Sequence, residues 1–256
     1  MACPNESNRC TVLVTSCDRY RDIEAPFLAL WRRHWPDCPF ELVAVRESGG
    51  GDGGTAADGF DRVVATGPGL SWSEMLAFAL ERISTPYVLM LMNDYLLDSR
   101  VDTARQLELL SRAEAADALN LRMNPNPPRA VKNSAYAVSC QAGYWNREFL
   151  LGLARRTKSA WEFERYGSYM FDESDPRPIM VTERKEFPFV DALHKGYWEP
   201  EGVALLKREG IDYDFSRRGL PPFWPRLKSN LKKAVFAVFP WELVVRVQNV
   251  FNLGMK

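Results

Sequence analysis

The sequence has few of the residues from which metal clusters and disulfide frameworks are built. Its 256 residues include two histidines and five cysteines, and no two cysteines stand in the C-x-x-C spacing of zinc and redox sites. An odd number of cysteines argues against a disulfide-stapled secreted domain. Reduced thiols in a cytoplasmic protein are the better interpretation.

Long apolar runs and an excess of charge of either sign are also lacking. The longest near-apolar stretch, 234–245, is too short to span a bilayer and contains Pro240 and Glu242. The first residues do not have the basic and then apolar order of a secretory signal. Lys plus Arg and Asp plus Glu number 33 each, which disfavours nucleic acid as a partner. We expect a cytoplasmic protein, either soluble or bound peripherally at the inner face of the plasma membrane.

The glycine motifs for phosphates are lacking in their functional context as well. The chain has no P-loop pattern, and its single match to G-x-G-x-x-G, at 49–54, lies in a loop between two predicted strands and opens no helix. Its one glycine-rich run, 49–54, favours a mobile surface loop over a phosphate cradle. A nucleotide-binding function would therefore have to use other residues.

What the sequence does contain is an alternation of strand and helix patterns. Predicted strands are Thr11–Ser16, Phe40–Val45, Arg62–Ala65, Tyr87–Met92 and Ala118–Met123. Between them, apolar residues recur at helical spacing, and Ser71 with Glu74 forms a capping-box pattern. The predicted fold class is therefore α/β, with a mostly parallel central sheet flanked by helices. We expect one catalytic domain over residues 1–215, followed by a basic, amphipathic, helical extension over 216–256.

The segment YVLMLMNDYLLD, residues 87–98, places polar residues directly after an apolar strand. In open α/β sheets ligands bind at the carboxyl ends of parallel strands. Asp94 there could bind a divalent cation, Mn²⁺ or Mg²⁺, that a diphosphate also ligates. The alternative is that Asp94 caps a turn, as Asp often does at strand ends.

Several motifs together resemble bacterial GT-A glycosyltransferases of surface-polysaccharide (capsule or O-antigen type) biosynthesis, over about residues 11–200. They are TSCDRY, SWSEMLAFALERISTPYVLMLMNDYLL, CQAGYWNREFLL, WEFE and DALHKGYW. The resemblance implies a Rossmann-like fold and an acidic pair that holds a metal and the diphosphate of a nucleotide sugar. Here the first acid is replaced by Asn93, which could still coordinate through its carbonyl oxygen or hydrogen-bond the ribose. Asp94 would then carry most of the metal binding, or the metal dependence is weak.

The same resemblance assigns the turn after the first strand to the nucleotide. It implies that Asp18 contacts the base and ribose, with hydroxyl contacts from Thr15 and Ser16. Arg19 would meet a phosphate or lie in solvent. The alternative for Asp18 is an Asx-type start to the next helix.

The segment Trp161-Glu162-Phe163-Glu164 is the candidate for the catalytic base. An acceptor hydroxyl needs a nearby carboxylate to take its proton, and burial beside aromatics raises a carboxyl pKa toward the working range. In a helix only one of the two glutamates can face the site, and we favour Glu164 over Glu162. Trp161 would offer an aromatic face to a sugar. The alternative is a surface acid pair flanking core aromatics.

Two later motifs resemble the acceptor side and the diphosphate side of the family's site. In the first, Gln141 would belong to the acceptor-side turn, Gly143 would allow close approach, and Trp145 would stack on a sugar or anchor the core. In the second, the resemblance implies that His194 completes the metal site or contacts the diphosphate, and that Lys195 offsets phosphate charge.

The residues from Arg217 to the end include eight basic residues against one acid, Glu242, among many apolar side chains. This composition favours contact of 226–256 with an anionic membrane, with packing on the domain or on a second subunit as the alternative.

The function that these features predict is sugar transfer from a UDP-, GDP- or dTDP-linked donor to a glycan or polyprenyl-linked acceptor, with inversion. The alternatives are a nucleotidyltransferase-like enzyme, or a catalytically weakened module that binds sugars or nucleotides.

Overall fold

The computed structural model describes residues 6–49, 59–125 and 131–219. Most of the glycine-rich loop and nearly all of the predicted C-terminal extension lie outside these residues. The strands are β1 (Cys10–Thr15), β2 (Glu41–Arg46), β3 (Arg62–Ala65), β4 (Tyr87–Met92), β5 (Tyr95–Leu97), β6 (Asn120–Arg122), β7 (Gly143–Asn146), β8 (Ile179–Val181), β9 (Phe189–Asp191), β10 (Leu193–His194) and β11 (Tyr197–Trp198). The helices are α1 (Glu24–His34), α2 (Trp72–Leu80), α3 (Thr103–Ala115), α4 (Arg147–Ala154), α5 (Ala160–Arg165) and α6 (Pro200–Arg208).

A seven-stranded sheet in the order β3-β2-β1-β4-β7-β6-β8 organises the first part of the chain. β1, β2, β3 and β4 pair in parallel, as do β6 and β8, whereas β7 is antiparallel to both of its neighbours. The predicted α/β fold with a mostly parallel, Rossmann-like central sheet is therefore confirmed.

Helices cover both faces of this sheet, as adjacent residues of β7 illustrate. Trp145 points to one face, where its ring meets Phe163 of α5 and Phe149 of α4. Tyr144 points to the other face, where its hydroxyl lies 3.3 Å from the backbone oxygen of Gln106 in α3. β4 is accordingly buried along Tyr87–Leu91 without alternation, as its apolar sequence predicts.

Local sequence signals set the starts of the helices beside the site. Ser71 and Glu74 form the predicted capping box at α2. The side chain of each residue accepts a hydrogen bond from the backbone N–H of the other. Ser159 caps α5 by accepting from the Glu162 amide. These caps define the first turns of α2 and α5, which also meet each other, since the Ser73 amide donates to the Lys158 carbonyl at 3.3 Å.

The chain divides into two compact units, Met1–Phe189 and Val190–Lys256. The first contains the seven-stranded sheet. The described part of the second contains the β10–β11 hairpin, α6 and an aromatic cluster of Trp198, Tyr213 and Phe215. The division at 215 therefore stays a prediction. In the described part of the chain, no helix combines the length and apolar character that crossing a membrane requires.

Candidate functional site

The strand order reverses between β1 and β4, because β2 and β3 lie on one side of β1 and the later strands lie on the other. Open α/β sheets bind ligands at such a point, beyond the carboxyl ends of the strands. Thr15 pairs with Met92, and the backbone N–H of Asn93 donates to the Thr15 carbonyl at 3.1 Å. The two predicted polar segments, 15–19 and 93–94, therefore meet at this edge.

The hydroxyls predicted to contact a ligand at the end of β1 are both used within the protein. Thr15 Oγ1 donates to the Leu91 carbonyl at 3.3 Å. Ser16 Oγ donates to Glu24 Oε1 at 2.8 Å. Both side chains are buried, with 4% and 6% exposed. The Thr15 bond therefore links the ends of β1 and β4, and the Ser16 bond links the end of β1 to α1.

Asp18 lies on the surface at the start of a short 3₁₀ segment, Asp18–Ile23. Its carboxylate does not cap that segment. It accepts from the Ser48 hydroxyl at 2.7 Å, while its amide donates to Glu47 Oε2 at 2.7 Å. Asp18 therefore ties the turn after β1 to the end of β2 and still faces solvent. Arg19, the next residue, is exposed.

Glu164 is half-buried on α5 and docks on the segment that leads into β7. Its Oε1 accepts from the Cys140 amide at 2.7 Å and from Ser139 Oγ at 3.1 Å. Burial raises the pKa of the Glu164 carboxyl, and these two hydrogen bonds and the charge of Arg122 partly offset that rise. A half-buried carboxyl with a raised pKa has the character that a general base requires.

Arg122 ends β6 at the same edge of the sheet and is 2% exposed. It donates to the carbonyls of Tyr136, at 2.9 Å, and Asn124. Burial lowers the pKa of its guanidinium to about 10, and the carboxylate of Glu164 opposes that shift. Arg122 therefore supplies positive charge close to the candidate base.

Glu162 and Trp161, the other two predicted site residues of the WEFE segment, have different surroundings. Glu162 Oε2 accepts from the Lys158 amide at 2.9 Å, just before α5 begins. Its carboxylate thus supports the start of its own helix. Trp161 is 64% exposed and leaves a ring face open to solvent. The segment does form a helix, so the two glutamates point in different directions, as predicted.

Glu164 accepts from the Cys140 amide, and Asp94 lies near enough for its charge to act on the Cys140 thiol. Burial, followed by the charges of Glu164 and Asp94, raises the pKa of the Cys140 thiol. The Tyr95 hydroxyl donates to the Cys140 carbonyl at 3.2 Å, which fixes β5 against the same segment. The carboxyl end of β4, where Asp94 follows, and the helix that carries Glu164 therefore border one region of the sheet edge.

Of the three predicted acceptor-side residues, one has a different role from the one expected. A Cβ on Gly143 would lie 2.9 Å from the Leu121 carbonyl, so the close approach it permits is that of strand β6 and not of a ligand. Trp145 is 1% exposed in the core, which agrees with its interpretation as an anchor. Gln141 is half-buried, and its Oε1 has no hydrogen-bond partner among the described residues.

His194 and Lys195 belong to the second unit. His194 pairs with Tyr197 across a two-residue turn, and its side chain is exposed. Lys195 and Gly196 have φ of 52° and 85°, as a type I′ hairpin requires. Their predicted roles at the metal and the diphosphate stay predictions.

The side chains at the end of β4 fit a divalent cation only in part. Asp94 supplies a carboxylate, but Asn93 directs its amide nitrogen into the protein. No group of three or more His, Cys, Asp or Glu side chains suited to a metal is found in ranges 6–49, 59–125 and 131–219. Mg²⁺ commonly binds through one or two carboxylates, water and substrate phosphates. Asp94 fits such a site if a diphosphate brings the remaining oxygen ligands.

Sequence reasoning missed three buried charged residues at this edge: Glu24, Arg46 and Arg122. Arg46 and Arg122 each end a strand, and Glu24 occupies the buried stripe of α1 with Phe27 and Leu28. A single charge inside an apolar pattern was the available signal. Such charges are rarely fully buried unless they are paired.

No protein-family model and no curated protein matches this chain. Solved structures do resemble it. Glucosyl-3-phosphoglycerate synthase from Mycobacterium tuberculosis, in complex with Mn²⁺ and UDP-glucose, has 12% identity and a TM-score of 0.48, covering 86% of this chain and 82% of that chain. S. aureus TarS 1–349 has 14% identity and a TM-score of 0.43, with coverage of 82% and 68%.

A cytidylyltransferase from Leptospira borgpetersenii has 10% identity and a TM-score of 0.45, with coverage of 79% of this chain and 95% of that chain. By their names, these proteins include both a glucosyl-3-phosphoglycerate synthase and a cytidylyltransferase. Identities of 14% or less and TM-scores of 0.48 or less do not choose between them. The function is therefore argued from this chain's own residues.

Proposed function

We propose that this protein is a glycosyltransferase that uses a nucleotide-sugar donor. The observation that carries the proposal is the placement of two carboxyl groups at one sheet edge. Asp94 follows the central strand β4, where the strand order reverses. Besides burial, the charges of both Glu164 and Asp94 raise the pKa of the Cys140 thiol. Two carboxyl groups with different surroundings suit two roles, one toward a diphosphate-bound cation and one toward a hydroxyl.

In this proposal Glu164 takes the proton from an acceptor hydroxyl. The hydroxyl oxygen then attacks the anomeric carbon of the donor, and the bond from that carbon to the diphosphate oxygen breaks. Arg122 holds the segment before β7 through the Tyr136 carbonyl and keeps positive charge near Glu164. Trp161, exposed one helical turn before Glu164, offers its ring to an acceptor sugar.

Asp94 would hold the divalent cation, Mn²⁺ or Mg²⁺, and His194 is the further predicted ligand. A bound cation would neutralise charge on the departing nucleoside diphosphate. Asp18, at the turn after β1, is the proposed contact to the nucleoside, and Lys195 the proposed contact to phosphate. The surface-polysaccharide role and a glycan or polyprenyl-linked acceptor remain part of the proposal.

Release of nucleoside diphosphate from a panel of UDP-, GDP- and dTDP-sugars, with and without Mn²⁺, tests this proposal. We expect one donor class to be consumed, and Asp94→Asn to reduce its consumption strongly. Asp102→Asn is the matched control, because Asp102 caps α3 and asparagine caps equally well.

Two outcomes would contradict the proposal. Release of pyrophosphate from a nucleoside triphosphate and a sugar phosphate would indicate a nucleotidyltransferase. Absence of transfer from every donor, together with nucleotide binding unchanged in Asp94→Asn, would leave only a binding module. Proton NMR of the product tests the inverting step, since a retained anomeric configuration contradicts Glu164 as the base for direct displacement.

A further inference from the structure

We infer that Asn93 is a positioning residue, held by a buried chain of hydrogen bonds that ends at the carboxylate of Glu24. Asn93 is 5% exposed. Its Nδ2 donates to Ser16 Oγ at 2.9 Å and to the Tyr20 carbonyl at 3.0 Å. The side chain therefore connects the end of β4 to the turn that carries Asp18, and does not extend toward a ligand.

The direction of the hydrogen bonds is fixed by the groups themselves. The Tyr20 carbonyl can only accept, so the nitrogen of the Asn93 amide must face it. Ser16 has one hydroxyl proton and donates it to Glu24 Oε1 at 2.8 Å. Ser16 therefore accepts from Asn93, and the chain of bonds runs from Asn93 through Ser16 to Glu24.

The charge of this network is balanced at its far end. Glu24 Oε2 accepts from Arg46, and the two side chains are 6% and 0% exposed. Arg46 Nε also donates to the Ser48 carbonyl at 2.8 Å. The network thus joins the carboxyl ends of β1, β2 and β4 and contains one negative and one positive charge.

An aspartate at position 93 would oppose this network in two ways. Its oxygens would face the Tyr20 carbonyl and the Ser16 oxygen, whose only proton is donated to Glu24. In both contacts, two acceptor oxygens would face each other with no proton between them. It would also add a second buried negative charge beside Glu24. A buried charge without a donor is strongly destabilising. The amide at position 93 is therefore what this set of partners requires.

The inference predicts a specific rescue. Asn93→Asp should lower Tm by roughly 5–10 °C. Glu24→Gln should also lower it, because Arg46 loses its buried counter-charge. In the double variant the bonds through Ser16 can reverse, running from the new amide at position 24 to the new carboxylate at position 93, and the net charge is restored. The contact with the Tyr20 carbonyl is not restored, so we expect the double variant to recover part of the summed loss. Asn146→Asp, at the cap of α4, is the matched control with no expected loss.

The effect on the site rests on the proposed function and is measured separately, as Kd for UDP, GDP and dTDP with Mn²⁺ well below Tm. Displacing the strand ends should raise that Kd by about 10- to 100-fold in Asn93→Asp, and the double variant should lower it again. Ser16→Ala, which removes the intermediate hydroxyl without adding charge, should weaken binding similarly and serves if Asn93→Asp does not fold.

Additive losses of Tm in the double variant would overturn the inferred network. Wild-type affinity in Ser16→Ala, or higher Mn²⁺ affinity in Asn93→Asp, would overturn the positioning role, since the latter would place residue 93 at the metal. If the wild-type protein binds none of the three nucleotides, the proposed function fails, while the Tm measurements still decide whether the network exists.

Discussion

Glu164 is the residue on which the proposed chemistry depends, and Glu162 provides its matched control. Glu164→Gln keeps the side-chain oxygen that accepts from the Cys140 amide but removes the base. We expect transfer to fall by about 10²- to 10⁴-fold with nucleotide affinity unchanged. In Glu162→Gln the oxygen that supports the start of α5 is retained, so activity should stay near wild type. Steady-state rates for both variants check this, and equal losses would contradict the assignment.

The raised pKa of Glu164 also predicts how stability varies with pH. A carboxyl whose pKa is higher in the folded protein stabilises the fold fully below its unfolded pKa, and this contribution is lost as pH rises through the folded value. Glu164→Gln does not titrate. We therefore expect the variant to gain stability relative to the wild type as pH rises from about 4 to 8. Urea denaturation at several pH values measures this difference, and a difference that falls with pH would contradict the direction of the shift.

At the scale of single residues, the sequence identified exposed and strand-end positions better than buried partners. Asp94 and Glu164 were predicted from position and surroundings, and the structure brings them near a common cysteine. Thr15 and Ser16 were predicted in the right place, but their protons are used inside the protein. The direction of a hydroxyl depends on partners distant in sequence, such as Leu91, and no local pattern records it.

Strand β7 shows what determines an element in the middle of the sheet. Gly143 is the point of closest contact, since an added Cβ would meet the backbone oxygen of Leu121 at 2.9 Å. We expect Gly143→Ala to destabilise the protein by about 1–3 kcal/mol, because backbone atoms cannot move aside cheaply.

Gly152 offers the opposite case on α4. A Cβ there would meet nothing within 4 Å. Gly152→Ala should therefore stabilise the protein by about 0.5–1 kcal/mol through higher helix propensity. Chemical denaturation of the two variants tests the pair, and a stabilising Gly143→Ala would contradict the packing of β6 on β7.

Strands and helices were predicted correctly where a run of residues is uniformly buried. The direction of a strand was not predicted where it depends on which neighbouring strands it pairs with. The apolar run of β4 and the capping box of α2 were both predicted and are present. Strand β7 is not among the predicted strands and is four residues long, Gly143–Asn146. Its antiparallel direction follows from its pairing with β4 and β6, which the sequence of β7 alone does not encode.

For the whole molecule, the proposed metal site has one carboxylate, Asp94, at the described sheet edge. This predicts that metal and nucleotide bind together. Asp94 alone should hold Mn²⁺ weakly, and a diphosphate should complete the coordination. The coupling is reciprocal. We expect Mn²⁺ and nucleoside diphosphate added together to raise Tm by more than the sum of their separate effects. Equal shifts for the sum and the mixture would contradict a shared site.

The uneven charge along the chain makes a separate prediction about its end. Deleting 226–256, where Lys228, Lys232 and Lys233 lie among apolar residues, should abolish sedimentation with anionic liposomes and leave nucleotide affinity unchanged. Neutral liposomes provide the control. If the full-length protein does not sediment with anionic liposomes, the segment has a packing role instead.

Strand β7, which runs antiparallel to both of its neighbours in the seven-stranded sheet, has a consequence for how this protein can change in evolution. β6 ends and β7 begins at the same edge of the sheet, so the connection 123–142 leaves from and returns to the ligand edge. Insertions and deletions within it need not alter the register of any strand. Under the proposed function, acceptor preference can change through this connection without altering the β1–β4 half that would hold the donor.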